Sequence, residues 1–259
     1  MSGRVAVAKM HGARNDFIVL DARRQSVDDL SAFAVAACDR HAGVGADGVL
    51  VIGLSERAAV SMRVINSDGS EAEMCGNGVR CVARYLDERG EGGEFAIDTL
   101  AGIIRTSVIE RGPVYRVRVN MGTPRIESRD TTEPKSAIVE TGNRHVVLFR
   151  DDIDAVDLLT LGEATKSDPR YPGGINVHLV TVVDGSSLRV RHYERGAGLT
   201  MACGTGVVAC AAAAIDRGVV RSPVLVHVPG GELTIEWNGN GDAFMTGPAV
   251  HVFDTTVDV

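Results

Sequence analysis

Short runs in which apolar and polar residues alternate recur along the chain, among them "MRVINS", "YRVRVNMG", "AIVETG", "HLVTVVD" and "SLRVRHYE". A period of two, rich in β-branched residues and bounded by turn residues, predicts half-buried strands. Two segments break that rhythm. After "EMCGNG" and after "MACGTG" comes an Ala/Val/Arg stretch, closed by Gly90 in one case and Gly218 in the other. Each reads as a helix of about three turns with a glycine where a C-cap belongs.

Sliding the chain along itself by 128 positions superposes these elements. Asn15 falls on Asn143, Phe17 on His145, Gly45 on Gly173, Gly48 on Asn176 and Cys75 on Cys203. Seven of the sixteen residues from Cys75 to Gly90 are identical to those from Cys203 to Gly218. A period of half the chain is too long for a solenoid and fits a duplicated domain. The expectation is an α+β protein of two pseudo-symmetric lobes, each a curved, mostly antiparallel, barrel-like sheet wrapped on a central helix, with a cleft between them. The turn- and charge-rich segment Met121 to Pro134 reads as the connection between lobes.

Composition narrows the class. Apolar residues make up 44% of the 259, charged residues 24% and aromatics 4%, as in a folded globular protein. The net charge of -7 comes without a dense Lys/Arg cluster, which argues against nucleic acid or an anionic membrane as partner and favours a small molecule. The N-terminus lacks the apolar stretch of a signal peptide, and Val207 to Ile215 is too short to span a bilayer, so a cytoplasmic location is expected. The five cysteines suit no secreted framework, and the Cys75–Cys81 and Cys203–Cys210 spacings suit no zinc site, so reduced thiols and no metal are expected.

Cys75 and Cys203 stand just before a helix start, where free backbone N–H groups and the helix dipole favour anions and thiolates. Two such thiols, one per lobe, suit a reaction that needs a base on each face of a carbon bearing a carboxylate. Inversion at an amino-acid α-carbon usually employs pyridoxal phosphate on a Schiff-base lysine. The three lysines, Lys9, Lys135 and Lys166, lie in a strand start, a Pro-flanked turn and a polar loop, so a cofactor-independent route is favoured.

Together and in this order, "HGARNDFIVLD", "RHAGVGADGVL", "NSDGSEAEMCGNGVRC", "TGNRHVV", "INVHLV" and "YERGAGLTMACGTG" resemble the diaminopimelate epimerase family of pyridoxal-phosphate-independent, two-cysteine amino-acid racemases. The resemblance spans almost the whole chain. It implies a tail that returns to the first lobe, giving residues 1–122 plus 248–259 as one lobe and 123–247 as the other. It also implies Cys75 and Cys203 as acid and base, with His145 and Glu194 as the polar pair beside the reacting carbon. Gly76, Asn77, Gly204 and Thr205 would hold the carboxylate at that carbon. Asn15, Asn66, Asn143, Asn176, Glu194 and Arg195 would hold the amino group and the distal amino-acid head. Independently, Arg195 can fork onto a carboxylate while Glu194 and the asparagines serve an ammonium. The implied reaction is inversion of LL- to meso-diaminopimelate in lysine and peptidoglycan precursor biosynthesis, by a homodimer that closes on substrate and is inactive when its thiols join as a disulfide. Arg14, Gly48, Arg144 and Leu199 depart from residues common in the family.

Other readings fit less of the chain. A sister racemase acting on another amino acid, such as histidine, would share every motif. Gly43 to Gly48 matches G-x-G-x-x-G, but a helix precedes it and a strand follows, the reverse of a dinucleotide turn. His192-Tyr-Glu194 matches part of a zinc deaminase signature without the P-C-x-x-C that must follow. A cysteine hydrolase pairing one thiol with His145 leaves the second cysteine unexplained. A non-catalytic amino-acid-binding module would need neither thiol. Cys38, Cys81 and Cys210 read as packing cysteines.

Overall fold

A computed structural model of the chain describes residues 3–132 and 135–258. It runs through strands β1 (Arg4–Gly12) and β2 (Asn15–Asp21), helix α1 (Leu30–Cys38), strands β3 (Gly48–Gly53), β4 (Val60–Asn66) and β5 (Glu71–Ala72), and helix α2 (Gly76–Asp87). Strands β6 (Glu94–Thr99), β7 (Gly102–Glu110), β8 (Tyr115–Asn120), β9 (Arg125–Asp130), β10 (Ser136–Glu140) and β11 (Arg144–Phe149) follow, then helix α3 (Leu158–Ala164). The remainder is β12 (Asn176–Asp184), β13 (Ser187–Glu194), β14 (Gly198–Thr200), helix α4 (Gly204–Asp216), β15 (Val224–Val228), β16 (Gly231–Glu236) and β17 (Phe244–Asp258). The chain divides into two compact units, Met1–Val119 with Gly247–Val259, and Asn120–Thr246. Among the described residues no helix is long and apolar enough to cross a membrane.

In the first unit the pairings close a ring. β1 joins β2, β2 joins β3, β3 joins β4, β4 joins β6, β6 joins β7 and β7 joins β8. β17 then pairs with both β8 and β1. The β2–β3 and β4–β6 pairs are parallel, because the intervening α1 and α2 make the crossover that parallel neighbours require; the other pairs given register are antiparallel. The second unit repeats this through β9, β10, β11, β12, β13, β15 and β16 to the start of β17, with β11–β12 and β13–β15 parallel. Paired hydrogen bonds close it, Met121 N–H to Ala243 C=O at 2.9 Å and Ala243 N–H to Gly122 C=O at 2.8 Å. The sequence-based α+β reading therefore holds, with two parallel pairs in each mostly antiparallel ring.

Each ring encloses one helix. Every residue of α2 from Gly76 to Leu86 is buried, and α2 packs on β1, β2, β3, β4, β6 and β7. α4 is buried likewise against β10, β11, β12, β13, β15 and β16. A ring of about eight strands leaves little spare room, so the enclosed helix and the strands must pack closely. That explains Ala211 to Ala214 of α4, each at most 1% exposed. It also explains Gly12, where an added Cβ would stand 2.9 Å from the Asn77 carbonyl oxygen of α2. Both helices end as expected: Gly90 (φ +76°) and Gly218 (φ +71°) are left-handed, and the next residues, Glu91 and Val219, bond back to Leu86 and Ala214.

The segment Met121 to Pro134 is more than a connection, because β9 lies inside it and pairs with β10. Five of its six residues are exposed, so it carries none of the alternation that marks a strand in sequence. Glu133 and Pro134 lie outside the described residues.

The β1–β2 hairpin turns on Ala13 (φ +52°) and Arg14 (φ +62°), both left-handed. Such a turn favours glycine, and an arginine there carries a steric cost of about 1–2 kcal/mol, partly offset by the entropy that a glycine would lose on folding. Arg14→Gly is expected to raise unfolding stability by about 1 kcal/mol, read as a higher urea midpoint at unchanged slope.

Candidate active site

The first unit places Cys75 at the N-cap of α2, in extended conformation (φ -137°, ψ 113°) and half-buried. Its side chain does not cap the helix, and it stands at the positive N-terminal end of α2. Cys75 Sγ lies 3.6 Å from Asn15 Oδ1, and Asn77 Nδ2 donates to the same oxygen at 3.2 Å. Asn15 in turn donates to Asp47 Oδ2 at 2.7 Å. A charged network stands behind it: Arg40 bridges Asp16 and Asp47, and Lys9 bonds Asp16 and the Gly45 carbonyl. Burial acts to raise the Asp16 carboxyl, but bonds from Arg40 and Lys9 outweigh it and hold it down at about 2. Asn66 is engaged elsewhere, donating to Ser70 Oγ at 2.9 Å.

Beneath Cys75 lies Arg80, fully buried on α2. It donates to Gly76 O, to Asn77 Oδ1 at 2.8 Å and to Pro248 O at 3.0 Å, the last tying the C-terminal strand to the helix. Burial lowers its guanidinium to about 10, while the neighbouring Cys81 and Cys75 work in the opposite direction.

The second unit places Cys203 at the N-cap of α4 in similar conformation (φ -117°, ψ 108°), but only 4% exposed. Its Sγ lies 3.6 Å from Thr205 Oγ1. Burial first, then the Glu194 carboxylate that accepts a hydrogen bond from it, push this thiol well above its ordinary range, against smaller help from Thr205 and the Gly206 N–H. Behind it runs a chain of three buried imidazoles. His145 Nε2 is 2.6 Å from Asn143 Oδ1, His145 Nδ1 is 2.7 Å from His178 Nε2, and His178 Nδ1 is 2.8 Å from His192 Nδ1. Burial lowers all three, His145 and His192 to about 3 and His178 well below 6.5 with its two neighbours adding to the effect. Asn176 is buried and occupied, donating to Arg144 O and accepting from the Arg195 N–H.

His145, His178 and Cys203 form a cluster whose donor atoms lie within 4.8 Å of one another. As it stands, the cluster is not a metal cradle. Two imidazole nitrogens 2.7 Å apart share a proton, whereas neighbouring ligands on a tetrahedral zinc lie about 3.3 Å apart. The other thiols are burial-inert: Cys38 and Cys81 are pushed to about 11 and about 12, and Cys210 well up.

A cysteine at the head of a ring-enclosed helix thus occurs once in each unit. The family model described as diaminopimelate epimerase matches residues 7–127 and 137–252. The chain belongs to the diaminopimelate epimerase family. It is an isomerase. A diaminopimelate epimerase of Pelotomaculum thermopropionicum is 42% identical over 268 residues, covering 95% of this chain and 96% of its own. One of Rhizorhabdus wittichii is 42% identical over 273 residues, covering 99% and 96%. Among solved structures, a Bacillus anthracis phenazine biosynthesis protein of the PhzF family has TM-score 0.77 at 17% identity, covering 99% of this chain and 100% of its own. A hydroxyproline epimerase from Agrobacterium vitis has TM-score 0.73 at 15%, covering 99% and 93%. Those two likenesses establish the fold.

Of the residues expected from the family resemblance, the structure joins Cys75, Gly76, Asn77 and Asn15 in one cluster, and Cys203, Gly204, Thr205, Glu194, His145 and Asn143 in the other. Asn176 and the exposed Arg195 are joined to each other through the backbone, and Asn66 belongs to the turn before β5. Sequence reasoning missed Arg80, because an arginine in a helix reads as surface. It missed His178 and His192 because each stands alone in its strand; the available signal was their opposition in the β12–β13 register.

The three histidines make stability pH-dependent. Each takes up a proton near pH 6.5 in the unfolded chain and stays neutral far lower in the folded one, so the unfolded state binds more protons between about pH 6.5 and 3 and stability falls with pH there. The loss approaches about 1.4 kcal/mol per pH unit for each histidine held neutral. Urea unfolding between pH 7 and pH 4.5 is expected to show this decline, shallower in His192→Leu; equal slopes would contradict it.

Proposed function

We propose that Cys75 and Cys203 are the two bases of a cofactor-independent stereoinversion of LL-2,6-diaminopimelate to meso-diaminopimelate. The observation that carries this reading is the repeated placement of an uncapped cysteine at the N-terminus of a buried central helix, in a chain 42% identical over nearly its whole length to diaminopimelate epimerases. The reaction supplies a precursor of lysine and peptidoglycan. A cytoplasmic homodimer acting on this small amino acid, without nucleic acid or membrane partner, completes the proposal.

The chemistry follows from the surroundings. Cys75 lies near the positive charge of Arg80 and Cys203 beside the negative charge of Glu194. On that asymmetry Cys75 is assigned as the base that meets LL-diaminopimelate, and Cys203, whose thiol is pushed up, as the acid. The Cys75 thiolate removes the α-proton, the C–H electron pair spreads into the carboxylate, and the Cys203 thiol delivers its proton to the opposite face of the carbon. The backbone N–H groups at the heads of α2 and α4 stabilise the charge that develops on that carboxylate. One turnover leaves the proton on Cys75 and the charge on Cys203, and proton exchange with solvent after product leaves returns the charge to Cys75. Asn15, Asn66, Asn143, Asn176, Glu194 and Arg195 are assigned to the amino group and the distal head, with His145 beside the reacting carbon.

Reduced protein without pyridoxal phosphate is expected to invert LL-diaminopimelate, and not histidine, proline or glutamate, in a chiral separation assay. Cys75→Ala and Cys203→Ala should each lower kcat by roughly 10²–10⁴-fold. Inversion of another amino acid alone would overturn the substrate assignment, and full activity in either variant would overturn the mechanism. Iodoacetamide at neutral pH is expected to modify Cys75 first, by peptide mass mapping, and Glu194→Gln to speed the slower reaction at Cys203.

A further inference from the structure

The imidazole chain behind Cys203 has a direction, and that direction decides what the active site offers a ligand. Asn143 Oδ1 is an acceptor, so His145 Nε2 carries the proton that bonds it. A neutral His145 then has a bare Nδ1, which accepts from His178 Nε2–H, and the bare His178 Nδ1 accepts from His192 Nδ1–H. The chain ends on His192 Nε2, buried and without a hydrogen-bond partner among the described residues. In this direction the unserved atom is a lone pair. Run the other way, with the Asn143 amide reversed, the chain would end in a buried N–H without an acceptor, the rarer and costlier defect.

We propose that His178 and His192 are positioning residues that hold His145 as a neutral Nε2–H donor to Asn143, so that Asn143 presents its amide N–H groups to the carboxylate of a bound amino acid. Three observations support it. The rings are at most 1% exposed, so they cannot reorient through water. His178 and His192 are register partners on neighbouring strands, so their separation is set by the sheet. His178 also lies against Gly206 in the first turn of α4, where an added Cβ would stand 2.3 Å from the ring, which leaves it no room to turn. With both nitrogens of His145 engaged, this residue does not compete with the thiols for the α-proton. It acts on the ligand through Asn143.

The proposal rests on Asn143 as a substrate contact, yet its first test needs no turnover. Nitrogen-15 NMR of the histidine side chains in the substrate-free protein is expected to show His145 and His178 as Nε2–H tautomers and His192 as the Nδ1–H tautomer, unchanged from pH 6 to pH 9. The reverse set, or a titrating His145, would overturn it. His178→Leu should release the tautomer of His145 and raise KM for LL-diaminopimelate about tenfold, the cost of roughly one hydrogen bond, with kcat changed far less. His178→Gln, whose amide can both donate and accept, should restore both. An unchanged KM in His178→Leu, or a loss in kcat alone, would overturn the proposal. If that variant does not fold, His192→Leu against His192→Asn asks the same question one link further away, and unaltered His178 and His145 signals in His192→Leu would count against the chain. Absence of inversion with the expected tautomers would sink the epimerase reading and leave the chain standing.

Discussion

A helix enclosed by a ring of strands can meet the outside only at its ends, and the rest of the molecule is arranged around that constraint. Inside the ring the helix packs against strands on every side, and the polar side chains it carries there, such as Arg80 of α2, must find partners within the protein. At the N-terminus the first N–H groups have no partner within the helix. They are where the backbone of the enclosed helix can serve a ligand, and a cysteine stands there in both units. The thin, alanine-rich body of α4 and the site at its head are therefore one design. Burial of the helix in its ring lowers the local dielectric, which strengthens the N–H groups as stabilisers of negative charge.

The two copies have the same frame and different electrostatics. Beside Cys75 the first unit has a buried guanidinium and a line of amides that ends in the Asp16, Asp47, Arg40 and Lys9 network. Beside Cys203 the second unit has a carboxylate and three neutral imidazoles. A pair of identical thiols would share a proton without preference. In the proposed two-base inversion, these unlike neighbours are what would set one thiol as base and the other as acid before substrate arrives.

Much of this frame was legible in the sequence, for a physical reason in each case. The strand runs show because one face of each is buried in the ring, and the helix ends show because Gly90 and Gly218 adopt a left-handed conformation that few other residues tolerate. The cysteine words repeat because both mark the same helix terminus. β9 was not legible, since its residues are nearly all exposed and only its backbone is engaged. Arg80 was not legible because its burial depends on the ring around α2, which no local pattern records. The histidine chain depends on register: His145, His178 and His192 lie on three strands and meet only when those strands are aligned.

The account stands or falls on one acid and one base acting on opposite faces of a single carbon. The most direct measurement is the position of deuterium after a small extent of reaction of LL-diaminopimelate in deuterated water, with substrate and product separated and weighed by mass spectrometry. Two distinct bases predict product carrying one solvent deuterium at the inverted carbon while the unreacted substrate remains unlabelled. Deuterium appearing equally in recovered LL-substrate, or product that retains its original proton, would mean a single base serves both faces and would contradict the assignment of Cys75 and Cys203.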